Sequence, residues 1–384
     1  MSLASSSGVA SFNQNAGDFL DLSNELAEII RRDNTAFISR VGISGEATET
    51  KHTWVEDKLN ANLVTDSGSG LADGSGTSWT VAAANGLLLK VGSLIRDTAS
   101  GTAGLEVMQV TAISTDTITI VRGYGGTTGV AHAASFTARI VANPAQEGQD
   151  PPADETRLRT SVSNYTQIFQ RGINVTHTMR SILQAGVADE FTFQIARRML
   201  EIMRELDSSV IGGIAPASSQ QGSASVYRSM NGLIVYASQA GGNTNTTSEA
   251  LTPAVINTMA KQIWDSGGYP NFILVSGQGK RSISAFDQSY RRMDIASRDA
   301  GYVIDRFLTD LGFQLEVIVD PWMPNDTVIV GDINKVRVMP LRNDAMRAEE
   351  LAKTGRGWKA QVTGQYTCEV RNAKEAFAYH NSLT

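Results

Sequence analysis

The sequence predicts an α+β fold that carries a small inserted β-barrel or β-sandwich domain. Three observations support this fold class. A long amphipathic pattern at residues 186–213 predicts one helix of about 23 residues, which at 1.5 Å per residue is about 35 Å long. Residues 62–143 contain short apolar runs separated by turn residues, as in a small β domain. After residue 250, helical patterns alternate with short buried strands.

Length, charge and cysteine content exclude several classes of protein. The 384 residues can form two or three domains, and 41% hydrophobic residues suit a folded chain. The net charge of −6 argues against a dedicated nucleic-acid binder. The single cysteine, Cys368, cannot form an internal disulfide, and we expect a reducing, intracellular context. We also expect no signal peptide and no membrane span, because no 18-residue apolar run occurs.

The first part of the chain is predicted to be an arm followed by an extended strand. Residues 1–20 are rich in Ser, Gly, Ala and Asn and predict an arm without a core of its own, and one short helix is expected at about 23–32. The segment 46–60 is mostly polar with β-branched residues, and it predicts an exposed strand rather than a core strand.

The predicted β domain is flanked by two extended segments. It contains a hairpin formed by residues 105–113 and 117–122, and a further strand at 135–142. A linker with a Pro pair, 143–156, follows it. Residues 163–178 then alternate as a strand, in which Gly172 predicts a bulge or kink. The simplest geometry is a two-stranded arm that carries the β domain at its tip.

The long helix has one apolar face. Asp189 and Glu190 lie near its positive N-terminal end, and Gly212 and Gly213 end it. Apolar residues recur at spacings of three or four and predict the core face: Phe191, Ile195, Met199, Ile202, Leu206 and Val210.

The α/β section that follows has clear boundaries. Thr252 and Pro253 predict the start of a helix that ends at Gly267 and Gly268. Strands are predicted at 271–276, 313–320, 327–332, 335–342 and 358–371, with a helix beginning near Gly279.

No motif with the spacing of a catalytic, cofactor or metal site is present. Gly277 and Gly279 are too close for a phosphate-binding loop, so a tight strand-to-helix turn is favoured. Residues 122–129 resemble a dinucleotide fingerprint, but a strand follows them, which favours a β-turn loop. The four histidines lack metal-ligand spacing, and turn or cap roles are favoured for three aspartates: Asp320, Asp326 and Asp332. We therefore predict no enzyme, no cofactor and no metal.

Several segments, in order and spacing, resemble the major capsid (major head) proteins of tailed bacteriophages. The segments are "NTAFISRVG", "TKHTWVEDKLN", a β-rich insertion, "NYTQIFQRGINVTHT" and "GVADEFTFQIARRMLEIMRELDSSVIGG". The resemblance covers most of the chain and is strongest over 34–60 and 160–213. It implies the Hong Kong 97-type fold, with the following parts: N-terminal arm, 1–33; extended loop, 34–62 and 143–178; inserted β domain, 63–142; peripheral domain with the long spine helix, 179–213 and 345–384; axial domain, 214–344.

The resemblance also implies a function. Copies of the chain would form pentamers and hexamers, joined head to tail in rings, and close an icosahedral shell around double-stranded DNA. The spine helix would be a strut, with Gly172, Gly212 and Gly213 as candidate hinges. The extended loop would lie on the neighbouring subunit, and the arm would latch a further one. Candidate inter-subunit residues in the loop are Lys51, Trp54, Glu56, Asp57 and Lys58.

Further partners and a location follow from the same resemblance. Some relatives form covalent Lys–Asn cross-links, and Lys51, Lys58 and Lys90 lie in or beside the loop, but we expect non-covalent clamping. Because the arm is too short to be a cleaved scaffold and begins with Met, we expect a separate scaffolding protein, a portal protein and decoration proteins as partners. Assembly would take place in the host bacterial cytoplasm, and the protein would reside in the virion capsid.

Three other functions compete with this hypothesis. An encapsulin, a bacterial nanocompartment shell with the same fold, would enclose an enzyme cargo instead of a genome. A β-rich surface adhesin would form soluble monomers or trimers without shells. An α/β enzyme would have a ligand-sized pocket with converging polar groups.

Overall fold

The structure is a computed structural model that describes residues 35–148, 150, 156, 158–182, 187, 189–286, 305–353 and 355–383. The predicted arm, 1–33, and its short helix lie outside the described residues. The helices are α1 (Ala36–Val41), α2 (His177–Ser181), α3 (Glu190–Gly212), α4 (Leu233–Ala237), α5 (Pro253–Asp265), α6 (Gly277–Ser284) and α7 (Ala373–Ala376). The chain divides into two compact units, residues 57–160 and the remainder, and each is described by itself.

The strands agree in position with most of the apolar runs of the sequence. They are β1 (Lys51–Glu56), β2 (Leu63–Thr65), β3 (Ser78–Thr80), β4 (Leu94–Asp97), β5 (Val107–Ser114), β6 (Thr117–Val121), β7 (Thr137–Ala142), β8 (Thr160–Tyr165), β9 (Gln167–Thr176), β10 (Asn243–Asn245), β11 (Phe272–Val275), β12 (Arg306–Leu308), β13 (Gln314–Val319), β14 (Val328–Gly331), β15 (Val336–Pro340), β16 (Arg347–Leu351), β17 (Gly357–Val370) and β18 (Phe377–His380).

The unit formed by residues 57–160 is a small antiparallel β-barrel. Its six strands have the order β2-β7-β4-β5-β6-β3. An antiparallel bridge between Asp66 and Val81 joins the ends of β2 and β3, the first and last strands, so the sheet closes on itself. Alternating side chains of these strands, among them the fully buried Ile95, Met108 and Ile118, fill the interior. The barrel therefore has a hydrophobic core of its own.

In the other unit, one sheet supports the long helix α3. The strand β17 has 14 residues, and β9 pairs with it antiparallel over ten positions, from Gly357↔Thr176 to Tyr366↔Gln167. β16 and β15 pair with successive parts of β17, at residues 359–363 and 366–370. Helix α3 packs on β9 and β17. We call this β9-β17-β15/β16 layer the spine sheet.

A second, six-stranded sheet of the same unit has the order β10-β18-β14-β11-β13-β12. The strands β11 and β14 are buried at every position, because helices α5 and α6 pack beside them in one apolar cluster. Ser276 caps α6 through its side chain, which accepts from the Gly279 amide, so residues 272–282 are the strand-to-helix turn that the spacing favours.

Two strands pair across the predicted division between peripheral and axial domains, which stays a prediction. β15, in the predicted axial range 214–344, belongs to the spine sheet. β18, in the predicted peripheral range 345–384, pairs with β14 in the six-stranded sheet. The sequence did not predict these pairings, because strands pair with partners distant in sequence and a short apolar strand carries no local mark of the sheet it joins.

Candidate assembly site

The spine helix α3 begins at a capped N-terminus and presents one face to the core. The side chain of Asp189 accepts a hydrogen bond from the Phe191 amide at 3.4 Å, and Glu190 lies in the first turn. All six residues of the predicted face point inward. Phe191, Ile202, Leu206 and Val210 are buried, and Ile195 and Met199 pack against the same cluster. Burial of this stripe, rather than helix propensity alone, therefore fixes the helix on its sheet.

A charged pair connects the helix to the spine sheet, because Arg171 on β9 pairs with Glu205 on α3. A second pair, Arg198 with Glu201 at 2.5 Å, lies within the helix itself. At the N-terminal end, Arg180 lies 4.5 Å from the ring centroid of Trp358, whose ring is in turn 6.2 Å from that of Phe191. The ion pairs are partly exposed, so each contributes only about 0–1 kcal/mol, and the apolar stripe provides most of the attachment.

The three candidate hinge glycines have different surroundings. Gly172 pairs with Gln361 in unbroken register inside β9, so the bulge predicted there is wrong. No atom lies within 4 Å of a Cβ built at Gly172 or Gly212. At Gly213, in contrast, a Cβ would lie 2.7 Å from the Met230 carbonyl oxygen. Gly213 is therefore required for close backbone packing, and it accepts a hydrogen bond from the Gly232 amide at 2.8 Å.

The extended strand of the loop is mostly exposed, as expected, but Trp54 anchors it in the core of the chain. β1 pairs with β8 as a two-stranded ribbon, and β9, also assigned to the loop, lies in the spine sheet. Trp54 is only 5% exposed, and its ring lies 5.8 Å from that of Tyr236. Its indole N–H donates to Glu56 Oε1 at 3.0 Å, and the same oxygen accepts from the Asn372 amide at 2.6 Å. Trp54 and Glu56 thus hold the base of the ribbon.

A third anchor lies beside Trp54. His52 Nε2 lies 3.2 Å from Glu369 Oε2, and Arg371 also pairs with Glu369. Burial alone would raise the pKa of the Glu369 carboxyl, but the hydrogen bonds from His52 and Arg371 outweigh it and lower that pKa. The carboxylate therefore remains ionised and fastens the ribbon to β17.

The remaining loop candidates are on the surface. Lys51, Asp57 and Lys58 are exposed, and Asp57 forms only a long pair with Arg159, at 3.8 Å. Several large apolar side chains are also exposed, most of all Leu59 at 92%, Leu158 at 91% and Tyr227 at 96%. Exposed aromatic and leucine side chains of this kind are candidates for contacts with another protein surface.

The structure adds two buried charged clusters that the sequence analysis missed. In the barrel, His132 lies between Asp97 and Glu106, and the Arg122 guanidinium forms a bidentate ion pair with the Glu106 carboxylate. In the other unit, Asp207 of α3 and Asp320 are both fully buried. Asp207 has a sequence signal that could have revealed it, since Met203 and Ile211, four residues before and after, both pack in the core.

The favoured turn and cap roles of the three aspartates are confirmed. Asp332 caps a short 3₁₀ turn, Asp320 accepts from the Trp322 amide two residues later, and Asp326 accepts from the Thr327 hydroxyl. Within the described ranges, no group of three or more His, Cys, Asp or Glu side chains could hold a metal ion. No helix in the described part of the chain is long and apolar enough to cross a membrane.

Comparisons with known proteins agree on a capsid fold. The family model for the SU10 major capsid protein matches residues 5–384. The capsid of an empty GTA particle is similar in fold at 9% identity, with a TM-score of 0.52 and coverage of 98% of this chain and 99% of that chain. The Microbacterium phage Oxtober96 structure is 13% identical, with a TM-score of 0.49 and coverage of 94% and 96%. The SrpI encapsulin from Synechococcus elongatus PCC 7942 is 12% identical, with a TM-score of 0.42, and covers 58% of this chain and 76% of that chain. No curated protein matches the sequence.

These findings confirm the Hong Kong 97-type capsid fold, and its role is structural. The family model extends over nearly the whole chain, including the β-barrel, so the barrel is part of the matched sequence. The alignment with the GTA capsid likewise covers nearly all of both chains. The chain therefore belongs to the SU10 major capsid protein family.

Proposed function

We propose that this chain is the repeating subunit of an icosahedral phage head that encloses double-stranded DNA. Identical copies form pentamers and hexamers, and these rings close the shell. The observation that carries the proposal is the capsid-family match over residues 5–384. An enzymatic function is not part of the proposal. Within the described residues, the grooves are open and lined by ordinary surface side chains, such as Glu190, Gln194 and Arg198 beside β9.

The anchored ribbon supports a specific arrangement of neighbouring subunits. Its base is fixed by Trp54 and Glu56, while Lys51, Asp57 and Lys58 are exposed. A ribbon fixed at its base can transmit force from a neighbour to the spine sheet. The reason is that Glu56 accepts a hydrogen bond from the backbone amide of Asn372, two residues after the end of β17. We propose that the exposed part lies on the adjacent subunit and that residues 1–33 latch a further one.

Flexible joints and other proteins complete the proposal. Gly172 and Gly212, where a side chain would meet nothing, remain candidate hinges between pentamer and hexamer shapes. Scaffolding, portal and decoration proteins act with the chain in the host cytoplasm. Clamping is non-covalent, so the subunits of mature shells should separate fully in denaturing electrophoresis.

The latch is tested by deleting residues 2–20. We expect the truncated chain to fold but to form few closed shells in electron micrographs, because the latch is lost while the core is intact. Deletion of residues 2–4, which lie outside the family match, is the matched control and should leave assembly normal. Normal shells from the longer deletion would disprove the latch but not the shell function.

The shell function has its own test. Full-length protein, produced with the proteins encoded beside it, should form closed particles that contain double-stranded DNA after infection. Particles filled with a single enzyme would favour the encapsulin hypothesis. Monomers or trimers that never close would disprove a shell of either kind.

A further inference from the structure

Two buried carboxyl groups meet beneath helix α1. Asp207, on the spine helix, accepts a hydrogen bond from the Ile38 amide at 2.9 Å. Asp320, directly after β13, accepts from the Phe37 amide at 3.2 Å and from the Trp322 amide at 2.9 Å. Both side chains are fully buried. The pair thus joins the first turn of α1 to the spine helix and to the six-stranded sheet.

The donors to this pair are backbone amides rather than cations. Asp207 Oδ2 receives no hydrogen bond from any other described group. Two negative carboxylates buried in contact would repel each other strongly, because the interior screens charge poorly. A single proton on Asp207 Oδ2 removes the repulsion and supplies a donor for Asp320. The pKa of Asp207 is accordingly raised to about 8, first by burial and then by the hydrogen bond and charge of Asp320.

The charged groups on the surrounding elements do not replace that proton. On α1, Arg40 points to Glu316 of β13, with which it pairs at 2.7 Å. On the spine helix, Arg204 is half-buried, and Lys335 before β15 is half-buried as well. Arg337 of β15 is exposed. The hydrogen bonds that the two carboxyl groups accept come from the backbone amides of residues 37, 38 and 322.

We propose that Asp207 and Asp320 form a proton-dependent clasp, in which one shared proton holds α1 against the spine helix and the six-stranded sheet. When the proton leaves, two like charges face each other in the core, and α1 opens to let water reach them. The clasp therefore controls whether α1, the first described helix, stays packed on the spine helix and the six-stranded sheet.

The direction of the pH effect follows from proton binding. The closed clasp keeps its proton up to about pH 8, whereas an open, hydrated Asp207 loses it near the ordinary value of 3.8. Between these values the closed state binds one more proton than the open state. Opening therefore becomes about tenfold more favourable for each pH unit, and closure is strongest at the acid end of this range.

Hydrogen exchange of residues 35–42 in the full-length chain tests the clasp. After correction for intrinsic exchange, we expect protection of this segment to fall about 50-fold between pH 6 and pH 8, because pH 8 is the midpoint of the closed-state titration. Asp207→Asn should remove the pH dependence, because its amide donates to Asp320 without titrating while its oxygen still accepts from Ile38. Asp326→Asn, an exposed aspartate near the same sheet, is the control and should behave like the wild type.

Infrared spectroscopy of the same samples measures the proton directly. The wild type should show a buried protonated carboxylic acid at pH 6 that disappears with a midpoint near pH 8, and Asp207→Asn should lack it. Absence of this signal in the wild type would overturn the clasp, even if the variant did not fold. Parallel pH profiles for α1 protection in the wild type and Asp207→Asn would overturn it as well.

Discussion

The two buried charged clusters solve the same physical problem in opposite ways. In the barrel, each acid lies beside nitrogen-bearing side chains: Asp97 Oδ2 lies 2.7 Å from His132 Nδ1, and Glu106 accepts from the Arg122 guanidinium at 2.7 and 2.8 Å. Glu106 has five nitrogen partners in all. Two belong to the Arg122 guanidinium, and the others are the amides of Gly123 and Val130 and Nε2 of His132. Under α1, the hydrogen-bond donors to Asp207 and Asp320 are instead backbone amides, those of Phe37, Ile38 and Trp322.

The pKa values move in opposite directions for this reason. Burial alone would raise the pKa of Glu106, but hydrogen bonds from Arg122, Val130, His132 and Gly123 lower it to about 2. The same burial raises the pKa of Asp207 to about 8, because its nearest charge is another carboxylate. A buried acid therefore stays ionised when cations and amides surround it, and it keeps a proton when they do not. Burial by itself does not predict whether a buried carboxyl group is ionised or protonated.

Breaking the balanced cluster should have the largest effect. Glu106→Gln leaves the Arg122 guanidinium buried without the charge that compensates it, and it places an amide donor among five donors. We expect a loss of about 3–5 kcal/mol in the stability of the barrel. Urea unfolding followed by hydrogen exchange of residues 57–160 measures this loss. Glu147→Gln, an exposed glutamate in the same unit, should change stability by less than about 0.5 kcal/mol. Equal effects of the two variants would contradict the role of Glu106.

The opposite pKa shifts predict opposite pH responses of the two units. Glu106 has a lowered pKa, so its contribution is complete above the ordinary value of 4.5 and is lost as the pH falls toward about 2. This pKa shift corresponds to about 3 kcal/mol in the free energy of unfolding of the barrel. Asp207 has a raised pKa, so the stability of its unit falls as the pH rises from about 4 to 8. Hydrogen exchange of residues 57–160 and 190–212, measured from pH 3 to pH 9, gives the pH dependence of stability for each unit separately. Parallel slopes would refute the comparison.

The sequence predicted local features well and distant pairings poorly. The spine helix and its buried face follow from the spacing of Phe191 to Val210, and the strand β11 from an unbroken apolar run. Trp54 was expected on an exposed strand because its neighbours are polar, but its burial depends on Tyr236, far along the chain. The shared proton of Asp207 depends in the same way on Asp320, 113 residues later. No periodicity records such contacts, since only the folded chain brings their partners together.

The smallest predicted effect distinguishes the two members of the carboxyl pair. Asp320 accepts two backbone amides, from Phe37 and Trp322, whereas Asp207 accepts one, from Ile38. Asparagine has a single acceptor oxygen, so Asp320→Asn leaves one buried amide without a partner, and Asp207→Asn leaves none. At pH 6, where the wild type holds its shared proton, Asp320→Asn should cost about 1 kcal/mol more in urea unfolding than Asp207→Asn. Equal costs would mean that the Trp322 amide finds another acceptor, and a lower cost for Asp320→Asn would place the proton on Asp320 instead.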